Sequence, residues 1–143
     1  MFTSSSESEK ILQAINEYLM AKFGYKTPPV YFSTSDVTIS NHFKRKKINL
    51  HLRLIREGGG FWQSDTLVIA RIGFRKERKG YGRDFLQFLS ELASNNGFRF
   101  IGIENTNTAS SQFAKKLGFT SHKNSERDYV VVVENLIDRF QKK

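Results

Sequence analysis

The chain contains no cysteine. That excludes a disulfide framework, a thiolate metal site and a thiol nucleophile, and it suits a reducing compartment. Proline is scarce too: there are only two, adjacent at Pro28 and Pro29. No repeat or linker divides the 143 residues, so residues 1–143 read as a single domain, long enough to build a core without metal or crosslink. No apolar run approaches the roughly 20 residues of a membrane-spanning helix. The polar start, Met1 to Glu7, lacks the basic and apolar regions of a secretory leader. Together these absences predict a cytoplasmic protein with no membrane attachment. No His, Asp and Glu spacing suggests a metal site, and no Gly-x-Ser-x-Gly elbow suggests a serine hydrolase.

Acidic residues are also in the minority, 14 against 23 Lys and Arg, for a net charge of +9. Such an excess fits a nucleic-acid binder. It fits equally a protein whose cations sit in solvent or meet a phosphorylated small molecule. The run Lys44-Arg45-Lys46-Lys47 reads most simply as a solvated basic tip between two strands, with contact to a phosphate-bearing partner as the alternative. Nucleic-acid binding is therefore expected to be weak. Aromatic residues are plentiful, including 13 Phe, and the hydrophobic share is 38%, which marks a globular rather than a disordered chain.

Residues 6–23 read as an amphipathic helix. Ser6 and Glu9 form a capping box, and Ile11, Leu12, Ile15, Tyr18, Leu19 and Phe23 share one face. Gly24 ends the helix, and Pro28 and Pro29 prevent its continuation. Residues 30–40 and 46–57 read as strands. In the second, Ile48, Leu50, Leu52 and Leu54 alternate with Asn49, His51 and Arg53. Gly58, Gly59 and Gly60 make a turn. Residues 66–72 are apolar on both faces, as in a central strand. A helix over 82–95 carries Phe85, Leu86, Leu89, Leu92 and Ala93 on one stripe, and Asn96-Gly97 closes it. Residues 98–103 read as a strand, 108–117 as a short helix ending at Gly118, 129–133 as a last strand, and the tail from Asn135 as a final helical turn. The order α-β-β-β-α-β-α-β predicts an α/β fold, a mixed twisted central sheet flanked by helices.

The chemistry is carried by Ile72-Gly73-Phe74-Arg75-Lys76-Glu77-Arg78-Lys79-Gly80-Tyr81-Gly82-Arg83, which follows a buried strand and opens a helix. The first turn of a helix presents backbone N–H groups and the positive end of the dipole, and a phosphate satisfies both. Gly80 and Gly82 let the backbone approach closely, while Arg78, Lys79 and Arg83 add counter-charge. A plain strand-to-helix turn is the alternative. The segment is neither a Walker loop nor the three-glycine dinucleotide fingerprint.

A second segment, Ile103-Glu104-Asn105-Thr106-Asn107 followed by Ser110, Phe113 and Leu117-Gly118-Phe119, extends the pattern. Over residues 66–119 the chain resembles the GNAT superfamily of N-acetyltransferases. In that family an Arg/Gln-x-x-Gly-x-Gly/Ala loop opens a helix, and the next strand leads through Asn to a short helix and Gly-Phe. The resemblance implies an acetyl-CoA cosubstrate, no metal, and an amine acceptor, a small molecule or protein, that attacks the thioester directly. It implies that two strands part at a bulge and that pantetheine lies in the gap along Ile72 and Gly73. Pyrophosphate would rest on the amides of Arg78, Lys79, Gly80, Tyr81, Gly82 and Arg83, with Asn107 and Phe113 lining the far side. A backbone N–H in the gap would stabilise the oxyanion. Two positions depart from the pattern. Glu77 replaces the family's Arg/Gln, and Ala114 stands where many members carry the Tyr that protonates the leaving thiolate. A thiol with a pKa of about 8.5 can leave unassisted near neutral pH.

Glu104, at the end of a strand beside the gap, is the candidate general base, the alternative being an ion pair with Arg99 or Arg71. His122 and Tyr129 fall near the closing strands, where structural roles are the simpler reading. His42 and His51 read as surface residues, and Phe61 and Trp62 as buried. A non-catalytic acyl-CoA-binding module, or a basic nucleic-acid-binding module on the same fold, is the alternative to an enzyme; Glu77 and Ala114 favour it. The acceptor and the oligomeric state are not written in the sequence.

Overall fold

A computed structural model describes residues 5–33, 38–41, 48–58, 60–74 and 80–141. The first helix, α1, spans Ser5–Phe23. It buries Ile11, Ile15 and Leu19 completely, the three-to-four spacing of the expected face. The helix already runs through Ser6, so the capping box placed there is not its start. Gly24, at φ +74°, ends it and donates to the Met20 carbonyl at 2.8 Å, the left-handed exit that glycine takes without a Cβ penalty.

Seven strands follow in one sheet of order β1-β2-β3-β4-β5-β7-β6. They are β1 (Val30–Phe32), β2 (Thr38–Asn41), β3 (Ile48–Ile55), β4 (Thr66–Phe74), β5 (Phe100–Ile103), β6 (Thr120–Ser121) and β7 (Tyr129–Val132). The stretch 30–40, read as one strand, is two that pair antiparallel, Val30 opposite Asn41. Helices α2 (Tyr81–Asn95), α3 (Thr108–Lys116) and α4 (Val133–Gln141) complete the chain. Val133 thus opens α4 instead of closing the last strand, and the final helical turn is a nine-residue helix. The two-residue β6 carries no periodic signal and was not legible. Among the described residues no helix is long and apolar enough to cross a membrane.

Every pairing is antiparallel except β4 with β5. Leu50, Leu52 and Leu54 of β3, Leu67 and Ile69 of β4, and Ile101 and Ile103 of β5 join the apolar faces of α1 and α2 in one core. Each such side chain contributes on the order of 1.5–3 kcal/mol by leaving water. On the opposite face Arg53, Val68, Gly102 and Val130 lie in register. Trp62, only 5% exposed, lies over Gly102. At the far end of the sheet Arg56 ties several elements together. It pairs with Glu7 and with Asp65 (3.2 Å), donates to the Asn96 carbonyl, and lies 3.8 Å over the Phe98 ring.

Candidate functional site

The site begins with an extra residue. Across the β3–β4 ladder His51 faces Arg71 and Leu52 faces Ile69, which leaves Ala70 without a partner. A bulge resets the inside–outside alternation by one residue. Ile72 therefore packs against the core, while Arg71 is exposed beside His51 and Arg53.

The second step is the parting of the two parallel strands. They pair from Thr66 with Phe100 to Ile69 with Ile103, and the last bond runs from the Glu104 N–H to the Ile69 carbonyl at 3.1 Å. Beyond it β4 continues to Phe74 against β3 alone. The other chain turns away at Asn105, whose φ is +54°. Its donors are taken elsewhere: the Asn105 N–H by the Asp128 carboxylate at 3.1 Å, and the Thr106 N–H and hydroxyl both by the Arg127 carbonyl at 2.9 Å. Because those groups are satisfied away from β4, the edge of β4 past Ile69 stays open on that side. The resulting gap, about 230 Å³, is lined by residues 69–72, residues 103–107 and Ser110.

Glu104 and Asn105 also line a second, larger cleft of about 490 Å³ on the other side. Its remaining walls are Arg53, Ile55, Glu57, Gly60, Phe61, Trp62 and Asp128. Gap and cleft thus share the rim formed by Glu104 and Asn105. Glu104 pairs with Arg53, a partner other than the Arg99 or Arg71 named in the alternative to a base role. Three carboxylates against one guanidinium make the cleft anionic on a chain that is strongly basic as a whole.

His51 is half-buried rather than a surface residue, with the Ser40 hydroxyl 2.6 Å from its Nδ1. Burial, then the charges of Arg71 and Arg53, push its pKa below the ordinary 6.5, against an opposing pull from Glu104. Proximity to two guanidiniums and loss of water both disfavour the imidazolium.

The helix α2 starts from Gly80 at φ +76°, with no side chain capping it. The first intrahelical bond runs from the Asp84 N–H to the Gly80 carbonyl. The amides of Gly82 and Arg83 precede it and have no intrahelical acceptor. Asp84, a carboxylate in this first turn, is paired with Lys22 at 3.0 Å. The Phe113 ring approaches Gly82, 3.9 Å from where a Cβ would stand, so the two helices meet over the glycine. Arg78 and Lys79 lie outside the described residues, as do His42, the run 44–47 and Glu77.

Asn107 does two things. It lines the gap, and it caps α3, accepting from the Ser110 N–H at 2.9 Å while the Ser110 hydroxyl accepts from the Asn107 N–H. Ala114 is fully buried. Tyr129 is buried, and its hydroxyl donates to the Glu126 carbonyl at 3.1 Å. His122 is buried as well, and its Nε2 donates to the Phe61 carbonyl at 2.6 Å. Phe61 and Trp62 divide the role assigned to both: Trp62 is buried, whereas Phe61 is 43% exposed on the cleft wall. Arg53, Glu57 and Asp128 were not read as site residues. The bulge and the tie to Asp128 place them there, and neither leaves a local signal. Among the described residues no group of three or more His, Asp or Glu side chains could hold a metal ion.

No protein-family model matches the sequence, and neither does any curated protein. Solved structures do match in fold. Tetrahymena GCN5 superposes with a TM-score of 0.53 at 11% identity, over 87% of this chain and 88% of that one. The CoA-dependent acyl-homoserine lactone synthase MesI gives 0.53 at 11% identity over 97% and 91%. An acetyltransferase of the GNAT family from Staphylococcus aureus gives 0.49 at 12% identity over 93% and 97%. At such identities the likeness is one of fold, and the chain has the mixed α/β fold of the GNAT acyl-CoA N-acyltransferases.

Proposed function

We propose that this chain is an acetyl-CoA-dependent N-acetyltransferase acting on a primary amine. The observation that carries the reading is the parting of β4 and β5 beyond Ile69 and Ile103, which opens a gap onto an anionic cleft at Glu104. An extended pantetheine needs such an unpaired strand edge, supplied here by Ala70 to Gly73. The amides of the first turn of α2, with Arg78, Lys79 and Arg83, suit its pyrophosphate, since uncapped N–H groups and the helix dipole favour an anion. Asn107 lines the gap, and the Phe113 ring lies beside Gly82. Acetyl-CoA supplies the thioester that the amine attacks.

Glu104 stands at the junction of the two spaces. It takes a proton from the incoming ammonium, directly or through water, and Arg53 fixes its carboxylate in place. The carboxylates of Glu57 and Asp128 favour a cationic acceptor, as an amine is in water. With Ala114 buried in α3, no side chain at that position donates to the departing thiolate, and the thiolate leaves unassisted. The reaction is assigned to the cytoplasm as part of the same reading.

Native mass spectrometry with acetyl-CoA, followed by thiol release across a panel of amines, tests the reading. Gly82→Val, which places two methyl groups over the first-turn amides, is expected to abolish coenzyme binding in calorimetry while the fold persists. Glu104→Gln is expected to lower turnover at least ~10-fold with coenzyme affinity kept, the scale of a lost general base. Absence of thiol release with every amine sinks the enzyme reading.

A further inference from the structure

Between β3 and β4 the chain runs through residues 56–65, including three consecutive glycines, Gly58, Gly59 and Gly60. Three glycines give such a segment much backbone freedom to lose on folding. Yet its end is fixed. The Trp62 ring lies over Gly102, where a Cβ would come within 2.7 and 2.9 Å of two of its ring atoms. His122 covers the other side of the ring, stacked at 4.5 Å with the planes 6° apart. From there its Nε2 donates to the Phe61 carbonyl at 2.6 Å, and its ring meets the edge of Phe61 at 4.7 Å and 89°. The neighbouring Lys123 adds a 3.4 Å bond to the Gly60 carbonyl. The turn that carries His122 is itself held to the cleft: the His122 N–H donates to the Asp128 carbonyl at 2.8 Å.

We propose that His122 is the specificity-determining latch of the acceptor cleft, holding residues 60–62 down so that Phe61 forms the wall against which a cationic amine lies. The inference rests on the acetyltransferase reading for its acceptor and on the contacts above for the latch. A phenyl ring that is 43% exposed on a glycine-rich segment needs an anchor to keep its position. The buried imidazole, bonded to that residue's carbonyl and stacked on its neighbour, provides one. The Lys123 ammonium already lies 5.4 Å over this ring, so what the aromatic wall offers a cationic amine is apolar contact for its alkyl stem, with the carboxylates of Glu57 and Asp128 beside it for the charge. His122 touches neither the gap nor the first turn of α2, so it positions the wall and takes no part in coenzyme binding.

The chain has a single tryptophan, so its fluorescence reports the latch directly. His122→Leu keeps an apolar filler but loses the donor, and His122→Gln returns an amide N–H near the position of Nε2. In His122→Leu, acrylamide quenching of Trp62 is expected to rise about threefold or more, and KM for the preferred amine about 10-fold, the scale of a hydrogen bond lost to a carbonyl that stays buried. Acetyl-CoA affinity and kcat are expected to hold within about twofold, and His122→Gln to lie near the parent on every readout. Circular dichroism checks that both variants are folded. Where His122→Leu does not fold, His122→Gln with the milder His122→Asn decides on the same readouts. Unchanged quenching in folded His122→Leu refutes the latch. Raised quenching with unchanged KM refutes its role in specificity, and a loss of acetyl-CoA affinity equal to the rise in KM refutes its confinement to the acceptor side. Failure of every amine to release thiol from the parent protein removes the acetyltransferase reading, and with it the acceptor role. The quenching arm separately decides whether the latch exists.

Discussion

Gly102 is the position at which one methyl group tests the most structure. It lies within β5, paired with Val68 on one side and Val130 on the other. Its φ is not positive, so alanine is acceptable to the backbone and on that count stabilises by about 0.5–1 kcal/mol. The space is not acceptable. The new Cβ would stand at 2.7 and 2.9 Å from two ring atoms of Trp62, closer still to a third, and the ring is trapped between the sheet and His122. A well-packed site forced to admit a methyl group loses about 1–3 kcal/mol. The net expectation for Gly102→Ala is a loss of about 1–2 kcal/mol, or a fall in Tm of about 2–8 °C for a chain of this size. Because the ring must lift, its stacking on His122 and its shielding from solvent suffer together. Thermal melts followed by circular dichroism read the first effect, and acrylamide quenching of the lone tryptophan the second. In a Trp62→Leu background the smaller side chain leaves room, so Gly102→Ala becomes neutral or stabilising there, and the non-additivity isolates the contact. Gly102→Ala with parental Tm and parental quenching would refute the packing described and, with it, the wall of the cleft.

Other perturbations address separate parts of the molecule. His51 has its folded-state pKa pushed below 6.5. The unfolded chain therefore binds its proton more readily, and the stability tied to neutral His51 is fully present above the ordinary value and lost as pH falls through it. His51→Gln should accordingly show a smaller drop in Tm than the parent between about pH 7 and about pH 5; an identical drop would rule out His51 as a contributor. Arg56→Leu removes a side chain 13% exposed that serves Glu7, Asp65 and the Asn96 carbonyl. Discounted for partial exposure, about 2 kcal/mol and a Tm fall of about 4–8 °C are expected, with coenzyme binding unchanged. Ser8 in α1 is fully buried, and among the described residues its hydroxyl finds no hydrogen-bond partner. Ser8→Ala is expected to raise Tm by about 2–4 °C, for about 1 kcal/mol recovered, and a fall would show that the hydroxyl is satisfied. Charge reversal of Lys44, Arg45, Lys46 and Lys47 should remove whatever affinity for nucleic acid the chain has, an affinity itself expected to vanish by ~0.2 M salt, and leave thiol release intact. Tight nucleic-acid binding at that salt with no thiol release from any amine would favour the non-catalytic reading.

The elements that local chemistry dictates were legible. The face of α1, the Gly24 stop, the alternation of β3, the both-sided burial of Leu67, Val68 and Ile69, and the stripe of α2 follow from periods of 3.6 and 2 and from glycine exits. The departures have physical causes. The break in 30–40 falls at Ser33-Thr34-Ser35-Asp36, a local turn signal that reading the stretch as one strand passes over. The Tyr129–Val133 run is uniformly β-branched after its first residue, yet Val133 enters α4. Its side chain is buried and Leu136, also buried, comes three residues later; packing overrides propensity there.

The site divides along the same line. That Gly80 and Gly82 stand at a helix start could be read because such a start is a local device, complete within a few residues. The gap could not. It needs an unpaired Ala70, which depends on the register of β3 against β4, and it needs Asn105 and Thr106 to be captured by residues 127 and 128, more than twenty positions away. Glu104 was singled out as the candidate base for a local reason, its place at the end of a strand, whereas its pairing with Arg53 depends on register and was not foreseen. Charge shows the difference most sharply. Summed over the sequence it is +9, which invites a polyanion. Resolved in space, the cleft beside Glu104 holds three carboxylates and one guanidinium. A polyanion and a cationic amine are then not rivals for one surface. Net charge governs weak, salt-sensitive association over the exterior, whereas the partner of the cleft is chosen by the few charges that line it, at distances shorter than the roughly 8–10 Å over which salt screens them.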